Sequence, residues 1–213
     1  MIINNCAINP LFSSPVIEMD VEQDTDELKD VKEYTKSRHE MDKPDPNINI
    51  RILENYPKIA DILLHKFKIM SQEVIGYNKK EYFITTSWIT STTKGQRSQF
   101  HNHRNSFWSG VYYFQDEYPR GTAGIQFENP VTQMWDVWYR DPDIKNYNEI
   151  TSTYWNIFPK PKQLLFFPSY LKHAIMLHEI DTLRCSLAFN IMPLEAWGCS
   201  DSSYNFNWAL EKM

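Results

Sequence analysis

From Tyr82 to Ile191 the chain is a succession of short runs rich in Ile, Val, Thr, Tyr, Phe and Trp, broken by Pro, Gly, Asn and Asp. The runs are Tyr82–Thr92, Ser98–His103, Trp108–Phe114, Gly124–Phe127, Met134–Tyr139, Thr151–Asn156, Gln163–Phe167, His173–Leu177 and Leu183–Ile191. No helical segment is interleaved among them. Short strands in this arrangement imply a mainly β protein, an antiparallel sandwich or barrel, and a jelly roll is one way to close such a set.

The preceding residues have a different character. Apolar stretches at Pro10-Leu11-Phe12 and Pro15-Val16-Ile17 give way to an acidic run from Asp20 to Glu33, in which Leu28, Val31, Tyr34 and Thr35 form one short helix face. That run reads as a solvated helix surface. Prolines at 44 and 46 make Met41–Asn47 a connector, since each removes a donor and biases its predecessor toward extended geometry. Beyond it, Ile59, Ile62, Leu63, Phe67, Met70 and Val74 recur at helical spacing, with Pro57 suited to the first turn and Gly76 to the stop. Its expected role is to cover one face of a sheet. The organisation expected is a single domain over 1–213: an N-terminal extension with supporting helices at 1–78, a β core at 79–193 and a tail at 194–213.

Bulk properties narrow the function classes. A chain of 213 residues with 42% hydrophobic and 23% charged content is an ordinary globular one, and a formal charge of −5 disfavours a partner rich in phosphates. Cys6, Cys185 and Cys199 are odd in number and share no CxxC spacing. Neither a disulfide framework nor a cysteine zinc site is indicated, and free thiols in a reducing cytoplasm fit best. Met1–Pro15 lacks the basic and apolar segments of a secretory signal, and no apolar stretch approaches the roughly 20 residues needed to span a bilayer.

The chemistry-bearing residues lie in the strand-rich half. In His101-Asn102-His103 the two imidazoles are two positions apart and share a strand face, so both can meet one metal ion where the chain bends or runs into a loop. His173 follows the apolar strand Leu164–Phe167 and is the candidate third ligand. Imidazole suits iron, zinc, copper and nickel, and a three-ligand site leaves positions open for a chelating co-substrate and dioxygen. Eleven residues after His173, Arg184 sits inside the apolar strand Leu183–Phe189 with Ser186 on the same face. A buried arginine fork wants a carboxylate, and this pair could grip one end of a dicarboxylate. Trp88 could line the same cavity, with Gln99 and Asn190 adding polar contacts.

These positions resemble the 2-oxoglutarate and iron(II)-dependent oxygenases, whose pattern is HxD or HxE, a distal His, and an Arg or Lys about ten residues later, often as Arg-x-Ser. The matching positions are His101 and His103, His173, and Arg184 with Ser186. Four blocks in order, Ser109–Phe114, Ile125–Pro130, Leu165–Ser169 and Ser186–Asn190, resemble a subfamily of such oxygenases from marine bacteria and phages. The resemblance covers Tyr82 to Pro193. It implies a double-stranded β-helix (cupin-like) fold with the N-terminal helices packed on one sheet. It also implies iron(II), 2-oxoglutarate and dioxygen as cofactors, release of succinate and CO2, and a hydroxylated small-molecule or peptide substrate. A homodimer is an assembly it allows, and a phage origin would place the protein in the host cytoplasm. A tyrosine near position 113 hydrogen-bonds the co-substrate in related oxygenases, which singles out Tyr113 over Tyr112.

One departure matters: His103 stands where the family has its carboxylate, and Glu128 on the following strand is a candidate replacement. A third neutral ligand leaves iron one unit more positive, which tightens an anionic co-substrate. Two rival readings therefore stay open. One is a metal- or ligand-binding β-helix protein without turnover; the other is a three-histidine dioxygenase in which Arg184 holds the substrate's own carboxylate. His39, His65 and His178 are read as structural, Cys185 as core, and Trp135, Trp138, Tyr154, Trp155 and Trp208 as packing. The loop from Asn129 to Asn156 is the expected determinant of substrate choice.

Overall fold

A computed structural model describes residues 2–3, 6–7, 13–40, 50–77, 81–131, 147–148, 151–194 and 196–203. The connector at Met41–Asn47, the run Met134–Tyr139 and the tryptophans at 135, 138 and 208 lie outside the described residues.

The elements in chain order are strands β1 (Ile2–Ile3), β2 (Cys6–Ala7) and β3 (Ile17–Asp20), then helices α1 (Asp26–Glu40) and α2 (Pro57–Met70). Seven strands follow: β4 (Tyr82–Thr92), β5 (Trp108–Tyr112), β6 (Ile125–Glu128), β7 (Tyr154–Ile157), β8 (Gln163–Pro168), β9 (His173–Ile175) and β10 (Arg184–Pro193). Helix α2 begins with Pro57 in its first turn, where a missing N–H costs nothing, and runs through a π-turn at Ser71–Ile75. It stops at Gly76, whose φ of +82° is the left-handed stop expected of glycine.

Two antiparallel sheets face each other: five strands in the order β3-β8-β5-β10-β4 and three in the order β7-β6-β9. Non-consecutive neighbours in both sheets are what a double-stranded β-helix requires, and the fold is of that class. The period-2 alternation of the large sheet separates two cores. Tyr112, Leu164, Phe166, Leu187, Phe189 and Ile191 pack against Leu63 and Phe67 of α2, while Val111, Tyr113, Leu165, Phe167 and Ala188 meet Ile125, Phe127 and Ile157 of the small sheet. Burying each large side chain fully contributes roughly 1.5–3 kcal/mol by removing apolar surface from water. Gly110 is required where β5 passes beneath Phe189, because an added Cβ would stand 2.2 Å from that ring.

Two expectations are corrected. Ile17–Asp20, read as the boundary of an apolar and an acidic stretch, is an edge strand paired with β8 from Ile17↔Phe166 to Asp20↔Gln163. Ser98–His103, read as a strand, makes one isolated bridge at His101↔His173 and is otherwise loop. The polar stretch Thr93–Gln99 gives it no apolar face to bury, and Ser98 anchors it instead: its N–H donates to Ile175 O (3.1 Å) and its Oγ accepts from Ile175 N–H (2.7 Å).

Candidate metal centre and anion pocket

Three imidazoles are brought together by backbone contacts. His101 and His173 exchange a pair of N–H to carbonyl bonds at 3.0 and 2.9 Å, and His103 N–H donates to Ser169 O at 2.9 Å, just beyond the end of β8. Because 101–103 is loop, both alternate side chains can turn to the same point. Ring centroids lie 4.6 Å apart for His101–His173, 5.1 Å for His103–His173 and 5.4 Å for His101–His103. Their available ligand atoms all fall within 4.8 Å of one another, and the group is the metal-capable cluster found among the described residues.

The hydrogen bonds fix which nitrogen is free. Nδ1–H of His101 donates to Gln99 O (2.9 Å) and Nδ1–H of His173 to Leu171 O (3.0 Å); a carbonyl can only accept, so the proton sits on Nδ1. Nδ1–H of His103 donates to Asn190 Oδ1 at 2.6 Å, with Ser109 Oγ at 2.9 Å. Asn190 is oriented in turn, its Nδ2 donating to Thr86 Oγ1 (2.9 Å) and its Oδ1 accepting from Ser109 Oγ (2.9 Å). Each ring therefore keeps its Nε2 lone pair for a ligand, as metal-binding histidines held by an outer acceptor do. Burial holds His173 down to about 3, and it lowers His103 as well, so both rings are neutral near pH 7. Three imidazoles, each oriented by its Nδ1–H bond, suit a borderline divalent metal such as iron(II).

Trp88 packs edge-on to His103, with ring centroids 5.4 Å apart. Gln99 contributes its backbone carbonyl rather than its side chain, which is exposed. Asn190 stands behind His103. Glu128 is elsewhere: it alternates with the inward Phe127, which packs on His173, and pairs with Lys172 at 3.4 Å. No carboxylate among the described residues joins the three histidines.

The inward face of β10 runs Arg184, Ser186, Ala188, Asn190, which sets a guanidinium near one end and the support of His103 at the other. Arg184 is 1% exposed. Its Nε–H donates to Ala123 O (2.9 Å), Nη2 to Tyr113 Oη (3.2 Å) and Nη1 to Ser186 Oγ (3.4 Å), and its guanidinium carbon lies 5.3 Å from the Tyr113 ring centroid. All three partners are neutral, and no carboxylate among the described residues is paired with it. Of five N–H donors three are engaged, leaving one on each terminal nitrogen. Tyr113 faces this pocket and Tyr112 the other core, and burial raises the Tyr113 phenol so that it stays protonated.

Several supporting residues carry no signal in the sequence. Gln115 clamps the start of β10, accepting from Cys185 N–H (2.5 Å) and donating to Leu183 O (3.0 Å), and Tyr118 Oη donates to Cys185 O (2.7 Å). His178, read as structural, is fully buried beside Ala123. Tyr154 and Trp155, read as packing, are 41% and 44% exposed. Trp155 shares the inward parity of Ile157, but β7 is the sheet edge and leaves it uncovered by its neighbours.

The fold is shared with known proteins. The family model described as "Putative 2OG-Fe(II) oxygenase" matches residues 86–190, which span all three histidines, Arg184 and Asn190. No curated protein matches the sequence. Among solved structures, the non-haem α-ketoglutarate-dependent epimerase SnoN from nogalamycin biosynthesis shares 9% identity over 87% of this chain and 79% of its own, with a TM-score of 0.58. HygX from Streptomyces hygroscopicus, solved with nickel and 2-oxoglutarate bound, shares 9% identity over 84% and 82%, with a TM-score of 0.56. A Pseudomonas putida prolyl-4-hydroxylase shares 11% identity over 84% and 87%, with a TM-score of 0.53. Residues 86–190 are thus similar to the 2-oxoglutarate and iron(II)-dependent oxygenases, a family whose cofactors are iron(II), 2-oxoglutarate and dioxygen.

Proposed function

We propose that the chain hydroxylates a small-molecule or peptide substrate, R–H + 2-oxoglutarate + O2 giving R–OH + succinate + CO2, from a centre formed by His101, His103 and His173. The observation that carries this reading is the pairing of three free Nε2 lone pairs with a buried guanidinium that has no carboxylate partner of its own among the described residues. Bound iron(II) would supply the site at which the co-substrate and dioxygen react. The chain's residues do the rest. His101, His103 and His173 hold the metal, their Nδ1–H bonds fixing ring orientation before it arrives. Arg184, Ser186 and Tyr113 receive the far carboxylate of 2-oxoglutarate, the guanidinium supplying charge and two free donors, and Tyr113 a protonated hydroxyl. Leu165, Val111 and Ala188 exclude water between the two ends.

Burying a guanidinium with neutral partners alone is costly, and an incoming carboxylate offsets the cost. That favours a dicarboxylate co-substrate over binding without turnover. We also propose that 79–193 forms the catalytic core, that 1–78 supports it, and that nucleic acid is not the main partner, in keeping with the formal charge of −5. Among the described residues no helix is long and apolar enough to cross a membrane.

The test is a screen of amino acids and peptides for substrate-stimulated succinate formation, followed by turnover of the best substrate under isotopically labelled dioxygen. One labelled atom in the product and one in succinate is the expected result. Oxidised product formed without any requirement for 2-oxoglutarate would point instead to direct dioxygenation.

A further inference from the structure

Arg184 donates its Nε–H to a backbone carbonyl that no strand ladder holds. Ala123 lies just before β6, whose pairing begins at Ile125. Two contacts secure this stretch from the β9 side. Ala123 N–H donates to Nδ1 of His178 (3.2 Å), and Met176 N–H donates to Gly124 O (3.0 Å).

The surroundings of His178 define its tautomer. It is fully buried; Nδ1 faces a backbone donor and must accept, so the proton is on Nε2 and is donated to Thr182 O at 2.8 Å, with Thr182 Oγ1 at 3.2 Å. Its own backbone is pinned to the turn after β4, His178 N–H donating to Gln96 O (2.9 Å) and Gly95 N–H donating to His178 O (2.7 Å). A single side chain thus ties the segment that carries Ala123 to the 182 turn that leads directly into Arg184. Residue 123 has its N–H on His178 and its C=O on Arg184, so the imidazole sets where the carbonyl sits and how the guanidinium plane is turned about Nε.

We infer that His178 is a positioning residue for the anion pocket: it presents the Ala123 carbonyl that aims the two free donors of Arg184, and it touches neither co-substrate nor metal. The inference rests on Arg184 being the anchor for the 2-oxoglutarate carboxylate. The two ring nitrogens have different jobs, and amides of different length can replace them one at a time. In His178→Asn, Oδ1 takes the place of Nδ1 and can still accept from Ala123, while the bond to Thr182 is lost. In His178→Gln, Nε2 takes the place of the ring Nε2 and can still reach Thr182, while Ala123 N–H loses its acceptor. Each variant gives up one bond, so both should lose similar stability, and a merely structural role predicts similar behaviour in every other respect.

The experiment compares wild type, His178→Asn and His178→Gln by calorimetric titration of 2-oxoglutarate into the anaerobic manganese(II)-loaded protein. Metal titration, thermal melting and exchange of the Ala123 amide proton accompany it. Expected is 2-oxoglutarate affinity within about threefold of wild type for Asn and at least tenfold weaker for Gln, with faster Ala123 exchange in Gln alone and manganese affinity equal in all three. Equal 2-oxoglutarate affinity in the two variants overturns the positioning role while leaving the Arg184 pocket standing. Absence of 2-oxoglutarate binding in the wild type itself overturns the pocket, and the inference with it.

Discussion

Nδ1–H of His103 donates to Oδ1 of Asn190 at 2.6 Å, so the ring that stands in the family's carboxylate position is held as firmly as its two partners. Asn190 is fixed in turn by Thr86 and Ser109, and Ser109 by Ser169 at 2.8 Å. A histidine left over from a lost carboxylate would have no reason to sit on such a support. Replacing Asn190 by Ala frees the ring and removes its acceptor, and metal affinity should fall by about 10- to 100-fold, the range for loss of an outer-sphere partner. Competitive titration with a chromophoric chelator measures it; unchanged affinity would mean that His103 does not ligate the metal.

Arg184→Lys keeps one positive charge but loses the planar fork and the Nε–H bond to Ala123. Binding of 2-oxoglutarate should weaken by about 1.5–3 kcal/mol, the range for hydrogen bonds to charged groups, and metal binding should scarcely change. Ser186→Ala removes one neutral contact and should show a smaller loss in the same direction. Calorimetry on the anaerobic metal-loaded protein reads both, and equal affinities with the fold intact by circular dichroism would remove Arg184 from the pocket.

Much of this was legible in the residues, for identifiable reasons. The strands of the large sheet bury both faces, so β5, β8 and β10 read as largely apolar runs, and the few polar residues inside them, Arg184 and Ser186 above all, stood out as needing partners. The facing of Cys185 followed from alternation, whereas the choice of Tyr113 over Tyr112 came from the family resemblance. What could not be read depends on non-local contacts. Ile17–Asp20 is a strand because β8 offers it an edge, not because of its own composition, and Gln115 and His178 act through backbone groups distant in sequence. Asn190 was legible as polar and inward, yet whether it meets co-substrate or His103 depends on a loop whose path the strand pattern does not encode.

Cys185 is buried and unbridged, whereas Cys199 is exposed. Burial pushes the Cys185 thiol up to about 11 from an ordinary 9.0. Its pKa is raised in the folded state, so the associated stability is fully present below pH 9 and is lost as pH rises toward 11. Thiol labelling at pH 8 should modify Cys199 within minutes and leave Cys185 until the chain is unfolded, and the melting temperature should decline between pH 9 and 11. Rapid labelling of Cys185 in the folded protein would contradict its placement.

Gly110→Ala would press a methyl group into the Phe189 ring, which is itself fully buried between β10 and α2. Overpacking of this kind costs typically about 1–3 kcal/mol, so chemical denaturation should show a loss in that range. A neutral substitution would show that the two strands can separate without consequence.

The central claim is that iron(II) and 2-oxoglutarate meet at His101, His103 and His173, and the absorption spectrum of the anaerobic mixture tests it most directly. Adding 2-oxoglutarate to the iron(II)-loaded wild type should produce the weak visible charge-transfer band of a chelated 2-oxo acid. His173→Ala should lose the band with the metal, and Arg184→Lys should need more 2-oxoglutarate to reach it. Iron(II) bound at one per chain with no band at saturating 2-oxoglutarate would contradict the account.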